Sequence, residues 1–174
     1  NYVEMIVKKL SLNETSHVTE IASNDGYLLQ YFQEKQIPCI GIEPTSSTAS
    51  VAKQKGIEII EDFFNTNLAK NLKKSDLIIS IGTLQSSSLN FKLLFMDLIQ
   101  NYLEDKGSII LGFPNCRWIN GEMIYGAKAA NYSYSEQSVL YKDVYFCKKY
   151  LQQKKYRVTL TGKNYLFLTA TSIK

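Results

Sequence analysis

Three short stretches of this chain carry residue types that suit a small polar ligand, and each follows an apolar run. The first is Glu20-Ile21-Ala22-Ser23-Asn24-Asp25-Gly26. A strand that ends in a tight turn and hands over to a helix lets backbone approach a ligand, with the helix N-terminus facing it. Such turns usually use glycines. Here the alternate positions hold Ala22, Asn24 and Gly26. Alanine is the smallest residue with a Cβ, and asparagine is among the residues that best tolerate a positive φ. The second stretch ends in Glu43, just before Pro44. A carboxylate there can accept hydrogen bonds from a ribose diol. The third is Asp62-Phe63-Phe64. Asp62 can bond an exocyclic amine, and an aromatic ring can cover a purine face.

These stretches need elements to hold them, and the hydrophobic pattern supplies those elements in regular alternation. Val3, Ile6, Val7 and Leu10 have helical spacing, and residues 1–16 read as a packing helix ahead of the domain, which spans 17–174. Strands are expected at His17–Ala22, Pro38–Glu43, Ile57–Glu61, Asp76–Ile81 and Ser108–Phe113. Helices are expected between them at Tyr27–Gln36, Ser46–Lys55, Leu68–Leu72 and Asn90–Leu103. Gly56 is a usual helix stop. Ser135–Lys154 reads as a long helix with Val139, Leu140, Val144, Tyr145 and Leu151 towards the core. Two strands, Tyr156–Thr161 and Tyr165–Thr171, then follow around a Gly162-Lys163-Asn164 turn. The pattern predicts an α/β fold. It is a doubly wound, mostly parallel seven-stranded sheet that closes with an antiparallel C-terminal hairpin. Pro114 to Ser133 reads as an irregular, tyrosine-rich segment, and a loop of that length is usually functional.

EIASNDGYLLQYF, followed by GIEP and GIEIIEDFF, resembles the class I S-adenosylmethionine-dependent methyltransferases. The first motif is most similar to the sugar C-methyltransferase branch. The resemblance is close over Val18 to Phe64 and topological over the rest. It implies a Rossmann-like methyltransferase fold with S-adenosylmethionine as cofactor. Glu20, Ser23, Asn24 and Gly26 would surround the methionine end, Glu43 the ribose hydroxyls, and Asp62 and Phe63 the adenine. Ser80 and Ile81 would flank the cofactor with backbone carbonyls. The cysteine-rich zinc module of the sugar branch is absent from this sequence. Methyl transfer needs alignment and sometimes a base. Within Pro114 to Ser133, Glu122 is the candidate base and Tyr125 the candidate orienting group for an acceptor hydroxyl or amine.

Composition narrows the partners. The net charge is +4, carried by lysine, with Arg117 and Arg157 the only arginines. An Arg-poor surface argues against nucleic-acid reading, so a small-molecule acceptor is expected. No run of about twenty apolar residues is present, which argues against a membrane helix. One histidine and three scattered cysteines offer no metal-ligand pattern and suit a reducing cytoplasm. The chain starts at Asn1 without a leader pattern, so it is expected to be a piece of a longer protein. A homodimer contact, or contact with a region before Asn1, is the expected protein partnership. Two other functions are weighed. A nucleic-acid or protein methyltransferase would need a contiguous basic face. A non-catalytic methyltransferase-like module would bind cofactor, or only a partner chain.

Overall fold

The computed structural model describes residues 2–84, 90–114, 116–119, 122–125, 141–162 and 165–173. In chain order the elements are α1 (Tyr2–Leu10), β1 (Val18–Ile21), α2 (Leu29–Gln33), β2 (Cys39–Ile42), α3 (Ser46–Gln54), β3 (Glu58–Ile60), α4 (Thr66–Lys70) and β4 (Ser75–Ile81). They continue with α5 (Phe91–Asp97), a π-helical turn (Leu98–Tyr102), β5 (Leu103–Pro114), β6 (Cys116–Ile119), β7 (Glu122–Tyr125), α6 (Tyr141–Gln153), β8 (Tyr156–Thr161) and β9 (Tyr165–Ser172).

The seven-stranded sheet has the order β3-β2-β1-β4-β5-β9-β8. Its first five strands are parallel, and β9 runs antiparallel between β5 and β8. The strand order reverses between β1 and β4, and open α/β sheets bind ligands in the crevice beyond the carboxyl ends of the strands at such a reversal. Strand residues alternate between two apolar layers, because successive side chains leave opposite faces of a sheet. On one face Val18, Leu77, Ile79 and Ile110 pack with Val3 and Ile6 of α1, Leu29 and Phe32 of α2, and Ala52 of α3. On the other, Ile21, Ile42, Ile78, Ile109 and Leu111 pack with Ala69 of α4, Phe95 of α5, and Val144, Cys147 and Leu151 of α6. The sheet is therefore wound on both sides, as the hydrophobic pattern predicts.

Four details differ from the expectations. The helix expected over Asn90–Leu103 ends as α at Asp97 and continues as one π turn. The wider turn keeps Leu98, Ile99 and Tyr102 all buried, and Leu103 then turns extended to start β5. The helix expected from Tyr27 begins at Leu29, because Gly26 is in the left-handed region (φ 72°) and Tyr27 N–H donates to Asp25 Oδ1 at 3.2 Å. The segment after Pro114 is not wholly irregular. β6 and β7 form an antiparallel ribbon with Cys116 opposite Tyr125 and Ile119 opposite Glu122. In α6, Tyr145 is half exposed, and Cys147 occupies the buried stripe between Val144 and Leu151. Val139, Leu140 and the expected helix start at Ser135 lie outside the described residues.

Candidate functional site

At the end of β1 the backbone makes the turn that the sequence suggested. Ala22, Asn24 and Gly26 all have positive φ, at 58°, 54° and 72°. Ser23 N–H donates to Ile42 O at 3.1 Å, which ties the turn to β2. Glu43, at the end of β2, fixes it further. One carboxylate oxygen accepts from Asn24 N–H at 3.1 Å, and the other accepts from Thr45 N–H at 2.9 Å. Glu43 is buried, so its carboxylate is held by backbone donors on both sides. A carboxylate has about four acceptor positions, so each oxygen keeps one for a further donor.

A cleft of about 560 Å³ opens beside this turn. It is lined by Glu20, Ala22, Ser23, Asn24, Asp25, Tyr27, Leu28 and Ile81, with Tyr2 from α1 and Phe167 from β9. Its size falls within the range of about 300–1,000 Å³ for small-molecule sites. Glu20 and Ser23 form its polar floor. The register sets Glu20 beside Gly41 on β2 and Ile79 on β4. A Cβ at Gly41 would overlap Ser23 Oγ, so the missing side chain makes the space for that hydroxyl. Both Glu20 and Ser23 are buried, and Glu20 Oε2 and Ser23 Oγ have no hydrogen-bond partner. Buried polar atoms without partners are costly and mark places where a ligand or water completes the set. Burial, reinforced by the nearby Asp25 charge, pushes the Glu20 carboxyl up to about 8. Asp25 is itself paired with Lys55 Nζ at 3.0 Å.

The structure thus brings Glu20, Ser23, Asn24 and Ile81 into one cleft, with Gly26 closing the turn beneath it and Glu43 bracing that turn. Ser80 is set apart. It pairs with Ile21 in the ladder, on the face opposite Glu20, and its buried hydroxyl also lacks a partner. Asp62 and Phe63 lie beyond β3 and do not line the cleft. The Asp62 carboxylate accepts from Phe63 N–H at 2.7 Å, and the Phe63 ring is 73% exposed. Phe64 instead packs against the core and lines a second hollow of about 420 Å³, between the starts of α4 and α5. Glu122 and Tyr125 have their backbone in β7, and their side chains lie outside the described residues. His17 is far from the cleft in the fold, at the start of β1, with its Nδ1 at 3.3 Å from Ser75 Oγ.

Sequence reasoning did not find Tyr2, Tyr27, Leu28 or Phe167. For Phe167 a signal existed. Leu166, Leu168 and Ala170 alternate with Tyr165, Phe167 and Thr169, so an aromatic pair had to face the other side of the sheet. Phe167 pairs with Gly112 near the carboxyl end of β5. For Tyr2 the spacing of α1 marked Val3 and Ile6 as buried and gave no hint of what their neighbour meets.

The fold agrees with what known proteins show. A family model described as methionine biosynthesis protein MetW matches residues 3–125. No curated protein matches the chain. Among solved structures, it is similar to a SAM-dependent methyltransferase from Aquifex aeolicus. The TM-score is 0.65 at 14% identity, over 98% of this chain and 89% of that one. A TehB-like SAM-dependent methyltransferase from Corynebacterium glutamicum gives 0.65 at 11% identity, over 97% and 85%. The magnesium protoporphyrin IX methyltransferase from Synechocystis, solved with bound SAM, gives 0.59 at 14% identity, over 98% and 78%. At such identities the likeness is one of fold, and the fold is that of the Rossmann-like methyltransferases. With a family match over most of its length, the chain belongs to the MetW family.

Proposed function

We propose that this protein binds S-adenosylmethionine in the cleft at the end of β1 and transfers its methyl group to a small-molecule acceptor, sugar-like or natural-product-like. The observation that carries the reading is the pair of buried, unpartnered polar atoms, Glu20 Oε2 and Ser23 Oγ, on the floor of a cleft at the sheet's reversal point. The residues fit the cofactor. Its amino group would meet Glu20, its methionine backbone the positive-φ turn, and its ribose the free acceptor positions of Glu43. When bound, S-adenosylmethionine supplies an electrophilic methyl, so the protein's own task is alignment and the exclusion of water. Glu122 and Tyr125, on the ribbon that follows β5, are the proposed base and acceptor-orienting group.

Titration calorimetry with S-adenosylmethionine and with S-adenosylhomocysteine tests the reading, and absence of heat with either ligand in folded protein would remove it. Glu43→Ala should weaken binding by about 1–3 kcal/mol through loss of charge-assisted hydrogen bonds and slackening of the turn. Unchanged affinity would make Glu43 a purely local brace. Glu122→Gln should slow turnover and leave cofactor affinity intact, and equal loss of both would point to a structural role.

A second reading is a cofactor-binding module without turnover. It is favoured by the described lining of the cleft, which holds no histidine or lysine to serve as a base. Ligand binding without any methyl transfer, in wild type and Glu122→Gln alike, is its signature.

A further inference from the structure

The charge around Glu20 is one-sided. Besides Glu20 itself, the titratable groups lining its cleft are Asp25, Tyr2 and Tyr27. From β2, Cys39 lies close enough for the Glu20 charge to raise its thiol, to about 11, although burial is the larger cause. Glu43 sits at the end of the same strand, with its carboxylate occupied by backbone N–H groups. Leu77, Ile79 and Ile81, on the Glu20 face of β4, carry no charge. Lys55, which pairs with the cleft's Asp25, is held by that carboxylate and by the Asp25 carbonyl. No lysine, arginine or histidine lines the cleft among the described residues.

We propose that a ligand's ammonium group docks against Glu20 and, in doing so, expels one proton from the Glu20 carboxyl to solvent. The inference rests on the cofactor reading above and adds how the site responds to pH. The balance is simple: the Glu20 O–H bond breaks, the proton leaves to buffer, and the carboxylate that remains accepts from the ligand's N–H groups. The geometry calls for this step. A protonated carboxyl has one donor and cannot give two acceptor oxygens to an ammonium, whereas the ionised form has only acceptors. Glu20 Oε2 is buried without a partner, and among the described residues no cation lines the cleft to support the ionised form. Burial holds the carboxyl protonated up to about pH 8, so near-neutral solution finds the proton in place. The ligand brings the missing positive charge, and a buried charge is stable only when paired.

The test is calorimetric titration of S-adenosylhomocysteine into the protein at about pH 6.5, in buffers of different ionisation enthalpy. The dependence of apparent heat on buffer enthalpy counts protons. About one proton should be released per ligand bound, and affinity should rise nearly tenfold from about pH 6 to pH 7. 5′-Deoxy-5′-methylthioadenosine, which has the nucleoside and no ammonium, should bind without release. Glu20→Gln should abolish the release and bind S-adenosylhomocysteine more weakly. Binding of S-adenosylhomocysteine with no net proton release would overturn the inference while leaving the cofactor reading standing. So would undiminished release in Glu20→Gln. Should that variant not fold, the wild-type pH slope and the methylthioadenosine comparison decide alone. No binding of either adenosyl ligand would overturn both.

Discussion

Exchanging Glu20 for glutamine is expected to flatten the pH dependence of the ligand-free protein's stability. The Glu20 carboxyl is pushed up to about 8 from an ordinary 4.5, first by burial and then by Asp25. The unfolded chain therefore loses this proton well before the folded one does. Between those two values the folded state binds more protons, so stability is highest at the acid end of the window and falls as pH rises through it. One such group costs about 2–3 kcal/mol between pH 5 and pH 7. Glutamine has no proton to lose. The difference between wild type and Glu20→Gln should grow in the variant's favour by that amount, as read from urea denaturation at pH 5, 6 and 7. A difference that stays constant with pH would mean that Glu20 is ionised in the folded protein. The same substitution removes the charge the proposed ligand needs, so stability and binding should move in opposite directions. That pattern marks residues kept for function at a cost to the fold.

Gly26→Ala should destabilise the protein by about 2–4 kcal/mol, seen as a lower urea midpoint with an unchanged slope. Two effects add. Gly26 has a φ of 72°, where a side chain costs about 1–2 kcal/mol. A Cβ there would also overlap Ile57 Cδ1 and stand 3.1 Å from Ala52 Cβ on α3. Ile57 is buried, and forcing a packed side chain off its rotamer costs about 1–3 kcal/mol. Ala22 shows that conformation alone does not forbid a side chain here. It keeps a Cβ at φ 58° in the same turn, on the side that opens to the cleft. The difference between the two positions is the neighbour. A loss of only about 1 kcal/mol, the conformational cost alone, would show that Ile57 repacks without strain.

Much of the fold could be read from periodicity alone. β2, β4 and β5 carry isoleucine-rich runs buried on both faces, and the helices between the strands have stripes for one layer each. Alternating strands and helices imply a parallel, doubly wound sheet, and the closing pair of strands its antiparallel end; the strand order itself comes from the structure. The π turn could not be read, because Asn90 to Leu103 has helical spacing throughout. The packing of Leu98, Ile99 and Tyr102 decides it. Nor could the β6–β7 ribbon, which lies in a segment, 114–133, whose tyrosines and glycines resemble loop composition. At the site, the positive-φ turn was legible because asparagine and glycine declare it. Glu43 is expected from the sequence to meet a ribose; in the structure it braces the turn through Asn24 and Thr45 and does not itself line the cleft. The burial of Glu20 was not legible. It depends on Gly41 and Ser23 from a neighbouring strand and turn, and register is a tertiary fact. Asp62 and Phe63 sit in the expected place in the chain, yet outside the cleft lining, since the turn after β3 directs Phe64 inward and leaves Phe63 in solvent.

The walls of the cleft come from elements far apart in the sequence, Tyr2 in α1 and Phe167 in β9. This has a consequence for synthesis on the ribosome. The turn, Glu20 and Glu43 emerge long before β9, and the pocket is not closed until β9 has slid between β5 and β8. A nascent chain stopped after β7 would contain the whole stretch matched by the family model and still lack one wall. Its β5 would be a bare edge, open to pairing with other chains. The cleft is therefore complete only once β9 has joined the sheet, long after the turn and the two buried acids have been made.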